Sequence, residues 1–171
     1  MKLTRAVLAG IGGAIVMSLA MLILRLAGVH VSLEYLLGSI VTTSGGAAQW
    51  IIGFIVHLAV GAFAGICYAV VFEWAVQRSG PWVGLGLGFC HGLFGGLLMS
   101  SIPEMNPLEF SMRMVSPGPF LDNLPLGPFI FVLLHILFGI AYIYIGIKLS
   151  RYDGKVLLCF RCHFLMALQR L

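Results

Sequence analysis

Four stretches of this chain, about residues 6–26, 50–72, 82–102 and 127–147, are apolar over nearly the length an α-helix needs to cross roughly 30 Å of hydrocarbon. Lipid cannot satisfy a free backbone N–H or C=O, so spanning segments fold as helices or as closed β-barrels. Barrel strands would alternate polar and apolar residues, and these stretches do not. Charge agrees with the helical reading. Only 9% of the residues are charged and 60% are hydrophobic, whereas soluble domains carry about 25% charge. A water-exposed globule is excluded. The fold class expected is an all-α polytopic membrane protein, a four-transmembrane-helix bundle over residues 1–150. An outer proline-rich loop interrupts it, and a basic amphipathic tail follows at 151–171.

Sidedness follows from the basic residues. If the four spans alternate, Lys2, Arg5, Arg78, Lys148, Arg151, Lys155, Arg161 and Arg170 fall on one side, leaving Arg25 and Arg113 for the other. The positive-inside rule then puts both termini in the cytoplasm, with the bacterial inner membrane as the location expected. Trp50, Trp74 and Trp82 sit at span ends, where interfacial aromatics belong. The basic N-terminus followed by an apolar run is superficially like a signal peptide. The run is longer than an h-region and no small-x-small cleavage site follows Arg25, so it reads as a retained first span. A net charge of +4 without a basic cluster interleaved with aromatics gives no support for nucleic acid.

Between the spans, residues 28–49 contain Glu34, and their middle, 31–41, suits a short interfacial helix. Residues 103–126 hold prolines at 103, 107, 117, 119 and 125, which favours an irregular cap. The tail mixes Arg and Lys with Leu, Phe and Met, as a helix lying on the membrane surface does.

Three histidines lie inside the spans, each with a glycine four residues on: His57/Gly61, His91/Gly95 and His135/Gly139. Intramembrane ionisable residues are costly and therefore functional candidates. At about 1.5 Å per residue, His57 and His135 lie about 11 Å below the outer surface and His91 about 16 Å below it. That is one shared layer. Gly53, His57, Gly61 and Gly65 form an i, i+4 stripe, and His91 and Gly95 sit beside Gly84, Gly88, Gly92 and Gly96. Small-residue stripes mark close helix approach, so the imidazoles are expected to face the bundle interior.

Three readings of that layer stand. Each imidazole can bond a carbonyl or hydroxyl on a neighbouring helix and lock the packing. Alternatively His57, His91 and His135 ligate a transition metal such as Cu or Zn, or a haem, with Gly61, Gly95 and Gly139 leaving room for the macrocycle. The third reading is a proton or ion path. No Asp or Glu within the spans accompanies the histidines, which counts against a pump-like relay.

Met99, Met105, Met112 and Met114 cluster around the outer end of span 3, with Glu104, Glu109 and Asp122 nearby. Thioethers favour Cu(I), so Met105, Met112 and Met114 are weaker metal candidates; methionine is also an adaptable packing residue. In the tail, Cys159-Phe-Arg-Cys-His163 has the form of a c-type haem attachment motif. A cytoplasmic position and only eight following residues argue against that use. A labile metal or thiol site is a further reading of the motif, and the simplest is an amphipathic tail that contains two thiols. Cys67 and Cys90, within spans, read as small apolar fillers.

Span 2 reads Phe54-Ile-Val-His-Leu-Ala-Val-Gly61 and span 4 Val132-Leu-Leu-His-Ile-Leu-Phe-Gly139. The echo raises the question whether spans 1–2 and 3–4 are related hairpins.

The opening Ala9-Gly-Ile-Gly-Gly-Ala-Ile-Val-Met-Ser18, then Gly53-Phe-Ile-Val-His-Leu-Ala-Val-Gly61, Gly88-Phe-Cys-His-Gly-Leu-Phe-Gly-Gly96, a Pro/Met-containing outer loop and Leu133-Leu-His-Ile-Leu-Phe-Gly139 follow in a characteristic order. This order, over roughly residues 6–147, resembles a family of small bacterial four-helix inner-membrane proteins with HxxxG-type motifs and no assigned activity. The resemblance implies a compact four-span bundle with histidines on spans 2 to 4; the tail departs from the pattern. The function expected is that of a small non-enzymatic accessory subunit of a larger membrane complex or homo-oligomer, in contact with the lipid bilayer. Its histidine layer packs the bundle or binds a haem or metal. The alternative is a small ion, proton or metal transporter or channel using the same histidines. No HExxH motif, paired intramembrane carboxylates or serine–histidine pairing suggests an enzyme.

Overall fold

A computed structural model describes residues 3–29, 32–42, 44–76, 80–101, 119–122 and 126–152. Helix α1 spans Leu3–Leu26, α2 Leu33–Ser39, α3 Gly46–Val71, α4 Pro81–Leu98 and α5 Gly127–Tyr152. A π-helical turn, Phe72–Val76, extends α3, and a 3-10 turn, Met99–Ser101, extends α4. Among the described residues, four segments are long and apolar enough to cross a membrane: Leu3–Leu26, Gly46–Trp74, Pro81–Leu98 and Gly127–Ser150. The all-α four-span bundle is therefore as expected, with shifted ends. The second span begins four residues before the expected boundary at 50, and the fourth continues past 147. Pro81 opens α4 at a first-turn position, where its missing N–H leaves no helix bond unmade.

Small residues set how the helices meet. α1 packs on both α3 and α5, α4 on α5, and α2 on α3. A Cβ built on Gly10 would collide with the carbonyl oxygen of Gly61, and one on Gly65 with that of Ala6. In the second hairpin Gly84 abuts Gly139 and Gly88 abuts the backbone at His135 and Ile136. The two hairpins use matching contacts. Gly61 faces the Gly10 carbonyl and the Ala14 methyl, and Gly139 faces the Gly84 carbonyl and Gly88 Cα. The echo in sequence is thus also an echo in packing.

Met17, Met21, Tyr68, Met99, Phe131, Phe138 and Tyr142 fill the middle. Outward faces are apolar too, as in Phe63, Phe94 and Leu97, each more than 60% exposed. A bundle apolar inside and outside suits lipid as its solvent. Trp74 and Trp82 are more than three-quarters exposed at span ends. Cys67 and Cys90 lie on the outward surface and do not fill the interior.

The short helix within 31–41 exists, but it is no free interfacial element. Ser32 caps it, accepting from the Tyr35 N–H at 3.2 Å, and Glu34, Leu36, Leu37, Gly38 and Ser39 are buried. Its backbone lies directly on α3: a Cβ on Gly38 would meet the Gln49 carbonyl oxygen, and one on Gly53 the Glu34 carbonyl oxygen. Gln49 Nε2 donates to the Tyr35 carbonyl at 2.9 Å and pins the two together. Gly53 thus belongs to the α2 contact, while Gly61 and Gly65 of the same stripe serve α1.

Candidate functional site

α3 presents His57 to α1, where its Nδ1 lies 3.0 Å from Ser18 Oγ. The small faces of the two helices, with Gly61 against Gly10 and Ala14, bring them close enough for this short polar pair. Both side chains are buried. α4 carries His91, whose Nδ1 is 3.2 Å from the Tyr68 hydroxyl of α3. On α5, His135 Nδ1 donates to the Phe131 carbonyl one turn back at 2.8 Å. A carbonyl only accepts, so this bond puts the hydrogen on Nδ1 and fixes the ring's orientation.

The structure brings His91 and His135 into direct contact, ring centroids 4.8 Å apart and planes 82° apart. Phe131 lies 4.3 Å from His135 on its other side. Tyr68 then links outward to inward-facing rings, edge-on to His91, Phe138 and Tyr142. Tyr142 donates its hydroxyl to the Gly65 carbonyl at 2.9 Å, joining α5 to α3. His57 stands apart on Ser18, within electrostatic reach of the other two imidazoles.

The glycines of the three HxxxG pairs do not frame a ligand. Gly61 is filled by Gly10 and Ala14 of α1, and Gly139 by Gly84 and Gly88 of α4. A Cβ on Gly95 would lie 3.6 Å from His135 Nε2 and 3.7 Å from the Phe131 ring. A porphyrin needs an open slot flanked by imidazoles pointing at one iron; here the slots hold backbone and rings, and His91 and His135 touch edge to face. These residues do not fit a haem. Among the described residues no group of three or more His, Cys, Asp or Glu is placed to hold a metal ion. Met99 is buried in the core, where it packs among apolar side chains. Met105, Met112 and Met114, with Glu104, Glu109, Cys159, Cys162 and His163, lie outside the described residues. Asp122 is exposed.

The sequence reading missed Glu34. Its side chain is fully buried at 0% exposure, and Oε2 accepts from Arg25 Nη1 at 3.2 Å and from Ser32 Oγ at 3.4 Å. Oε1 is buried with no hydrogen-bond partner among the described residues. The Glu34 carbonyl rests on Gly53, and His57 follows Gly53 by one turn on the same face of α3. Carboxyl and imidazole lie within each other's electrostatic reach. One of the histidines, His57, thus has an acidic group within electrostatic reach, delivered by α2 and not by a span. The signal was present: Arg25 and Glu34 are opposite charges nine residues apart in a charge-poor region, and Gly53 extends the small-residue stripe beyond what α1 covers.

The Ser18–His57 pair also corrects the expectation that no serine meets a histidine. Its surroundings speak against a nucleophile, since Ser18 is 8% exposed inside the α1–α3 contact, where no substrate carbonyl can approach its hydroxyl. Comparison with known proteins finds no matching family, no matching curated protein and no matching solved structure.

Proposed function

We propose that this protein is a small, non-enzymatic subunit of the bacterial inner membrane whose intramembrane imidazoles act as hydrogen-bonded locks between and along its helices. One observation carries this reading: Nδ1 of His57, His91 and His135 each has a partner within the protein, and each following glycine is occupied by a neighbouring helix or ring. In hydrocarbon such bonds hold spans in one register, since the alternative is an unsatisfied polar group. The apolar flanks suit lipid and the sides of other membrane proteins or a second copy. The distribution of Lys and Arg supports cytoplasmic termini.

Absorption spectroscopy and elemental analysis of the gently solubilised full chain test the lock against a cofactor role. The expected outcome is no Soret band, no transition metal approaching one per chain, and no change of either in His91→Ala. A Soret band or stoichiometric metal that disappears in His91→Ala would replace the lock with a ligand site. Chemical crosslinking in its own membrane tests the subunit role. A defined larger particle supports it, and a chain that stays single contradicts it.

A second reading, proton or ion handling, is favoured by a specific observation: a fully buried Glu34 with one carboxyl oxygen that has no hydrogen-bond partner among the described residues.

A further inference from the structure

We propose that a single water molecule is bound beside Gly95, held between Nε2 of His135 on α5 and Nε2 of His91 on α4. The three HxxxG glycines are not alike. A Cβ on Gly61 would collide with the Ala14 methyl and the Gly10 carbonyl, and one on Gly139 with the Gly84 carbonyl. At Gly95 the atoms nearest an added Cβ are His135 Nε2 at 3.6 Å and Phe131 ring carbons at 3.7 Å, which is ordinary contact. An alanine fits there, so close helix approach does not account for this glycine. The space it leaves borders a nitrogen.

That nitrogen lacks a donor. His135 Nδ1–H donates to the Phe131 carbonyl, so Nε2 of the neutral ring carries the lone pair and accepts. His135 is only 6% exposed, and no described residue donates to that lone pair. Yet it is not sealed off. Among the described residues, Glu34 Oε1 is the one side-chain polar atom that is both closed off and without a partner. A bare acceptor in an apolar interior is costly, and only an O–H or N–H group relieves that cost.

The second partner borders the same space. Gly95 follows His91 by one turn on one face of α4, and a Cβ leans towards the helix N-terminus, hence towards His91. The two imidazoles meet there with ring centroids 4.8 Å apart, and no hydrogen bond joins them directly. The Tyr68 hydroxyl, 3.2 Å from His91 Nδ1, has no other partner among the described residues. As donor it leaves His91 with its hydrogen on Nε2. One ring then offers an N–H and the other a lone pair. A water accepts from His91 and donates to His135, which supplies the two polar partners a buried water needs. The methyl-sized space admits one oxygen atom and no larger group. So placed, the water ties α4 to α5, whereas His135 Nδ1 bonds only within its own helix. The inference rests on the Nδ1 bonds of the locking role, but its tests read Nε2, so either can fail alone.

Water-edited nitrogen NMR of the histidine-labelled full chain in lipid vesicles reads the site. In wild type, His135 Nε2 is expected to receive magnetisation from water protons. Gly95→Ala is expected to expel the water: that transfer is lost, the Nε2 resonance shifts, and His135 Nδ1 stays in place. Stability gives a second readout. Gly86→Ala, with nothing within 4 Å of its Cβ, reports what alanine alone contributes to α4. Gly95→Ala is expected to have a folded-to-unfolded ratio about tenfold below that of Gly86→Ala, because it strands the acceptor. No transfer from water in wild type, transfer from acyl protons alone, or transfer that survives Gly95→Ala overturns the proposal. So does a Gly95→Ala protein as stable as Gly86→Ala, since the alanine would then be filling an empty void.

Discussion

Gly61→Leu is expected to force α1 away from α3 and to lower bundle stability by about 3 kcal/mol. The position allows no relaxation, because the neighbours a side chain would meet are the Gly10 backbone and the Ala14 methyl, not the end of a flexible side chain. Separating the helices also lengthens the Ser18–His57 pair, 3.0 Å in the native packing, so one substitution loses both the close contact and its polar lock. Gly86→Leu is the control. Nothing lies within 4 Å of a Cβ at Gly86, and the same change there is expected to stay within about 0.5 kcal/mol of wild type. Reversible unfolding in mixed micelles measures both. Equal effects at the two positions would show that leucine in a glycine-rich span is costly in itself and that the α1–α3 contact is not what holds the hairpin.

Arg25→Met is expected to be the most damaging change of a charged residue, costing about 3 kcal/mol. The reason is asymmetric. Arg25 is partly exposed at 22%, but its partner is at 0% and already has one oxygen without a hydrogen bond. Removing the guanidinium leaves a wholly buried carboxylate with, among the described residues, only the Ser32 hydroxyl, 3.4 Å away. Replacing both members, Arg25→Met with Glu34→Leu, is expected to recover most of that loss, since a buried pair exchanged for apolar groups is often near neutral. The same unfolding assay decides. A double variant as unstable as the single one would mean that Arg25 acts through something other than the Glu34 carboxylate.

Hydropathy alone made the spans legible, because lipid leaves so few backbone solutions. The stripes of Gly61, Gly65, Gly84 and Gly88 also announced their use, since a run of small residues on one helix face has little purpose other than close approach. The interior was less legible. His57, His91 and His135 share a similar depth, but depth says nothing of rotation or partners. The Ser18 and Tyr68 contacts depend on which helices are neighbours, and no periodicity encodes that. In the bundle α1 lies between α3 and α5, while α3 reaches α4 through the Tyr68–His91 bond. The reading of Gly61, Gly95 and Gly139 as ligand space meets a related difficulty: helices take up the space at Gly61 and Gly139, and a missing side chain shows that something comes close, not what. Glu34 was the largest omission. A carboxylate outside the spans reads as solvated, and only the docking of α2 on Gly53 and Gln49 turns it inward.

The decisive quantity is the identity of the group bonded to each imidazole Nδ1. Nitrogen NMR of the histidine-labelled full chain in lipid reads it one ring at a time. Ser18→Ala is expected to move the His57 Nδ1 resonance and leave His91 in place, and Tyr68→Phe is expected to move His91 and leave His57 in place. His135, bonded to the Phe131 carbonyl, stays put in both variants. Resonances indifferent to their assigned partners, or displaced together by addition of a metal or haem, would show that the imidazoles serve a ligand and not the helices around them.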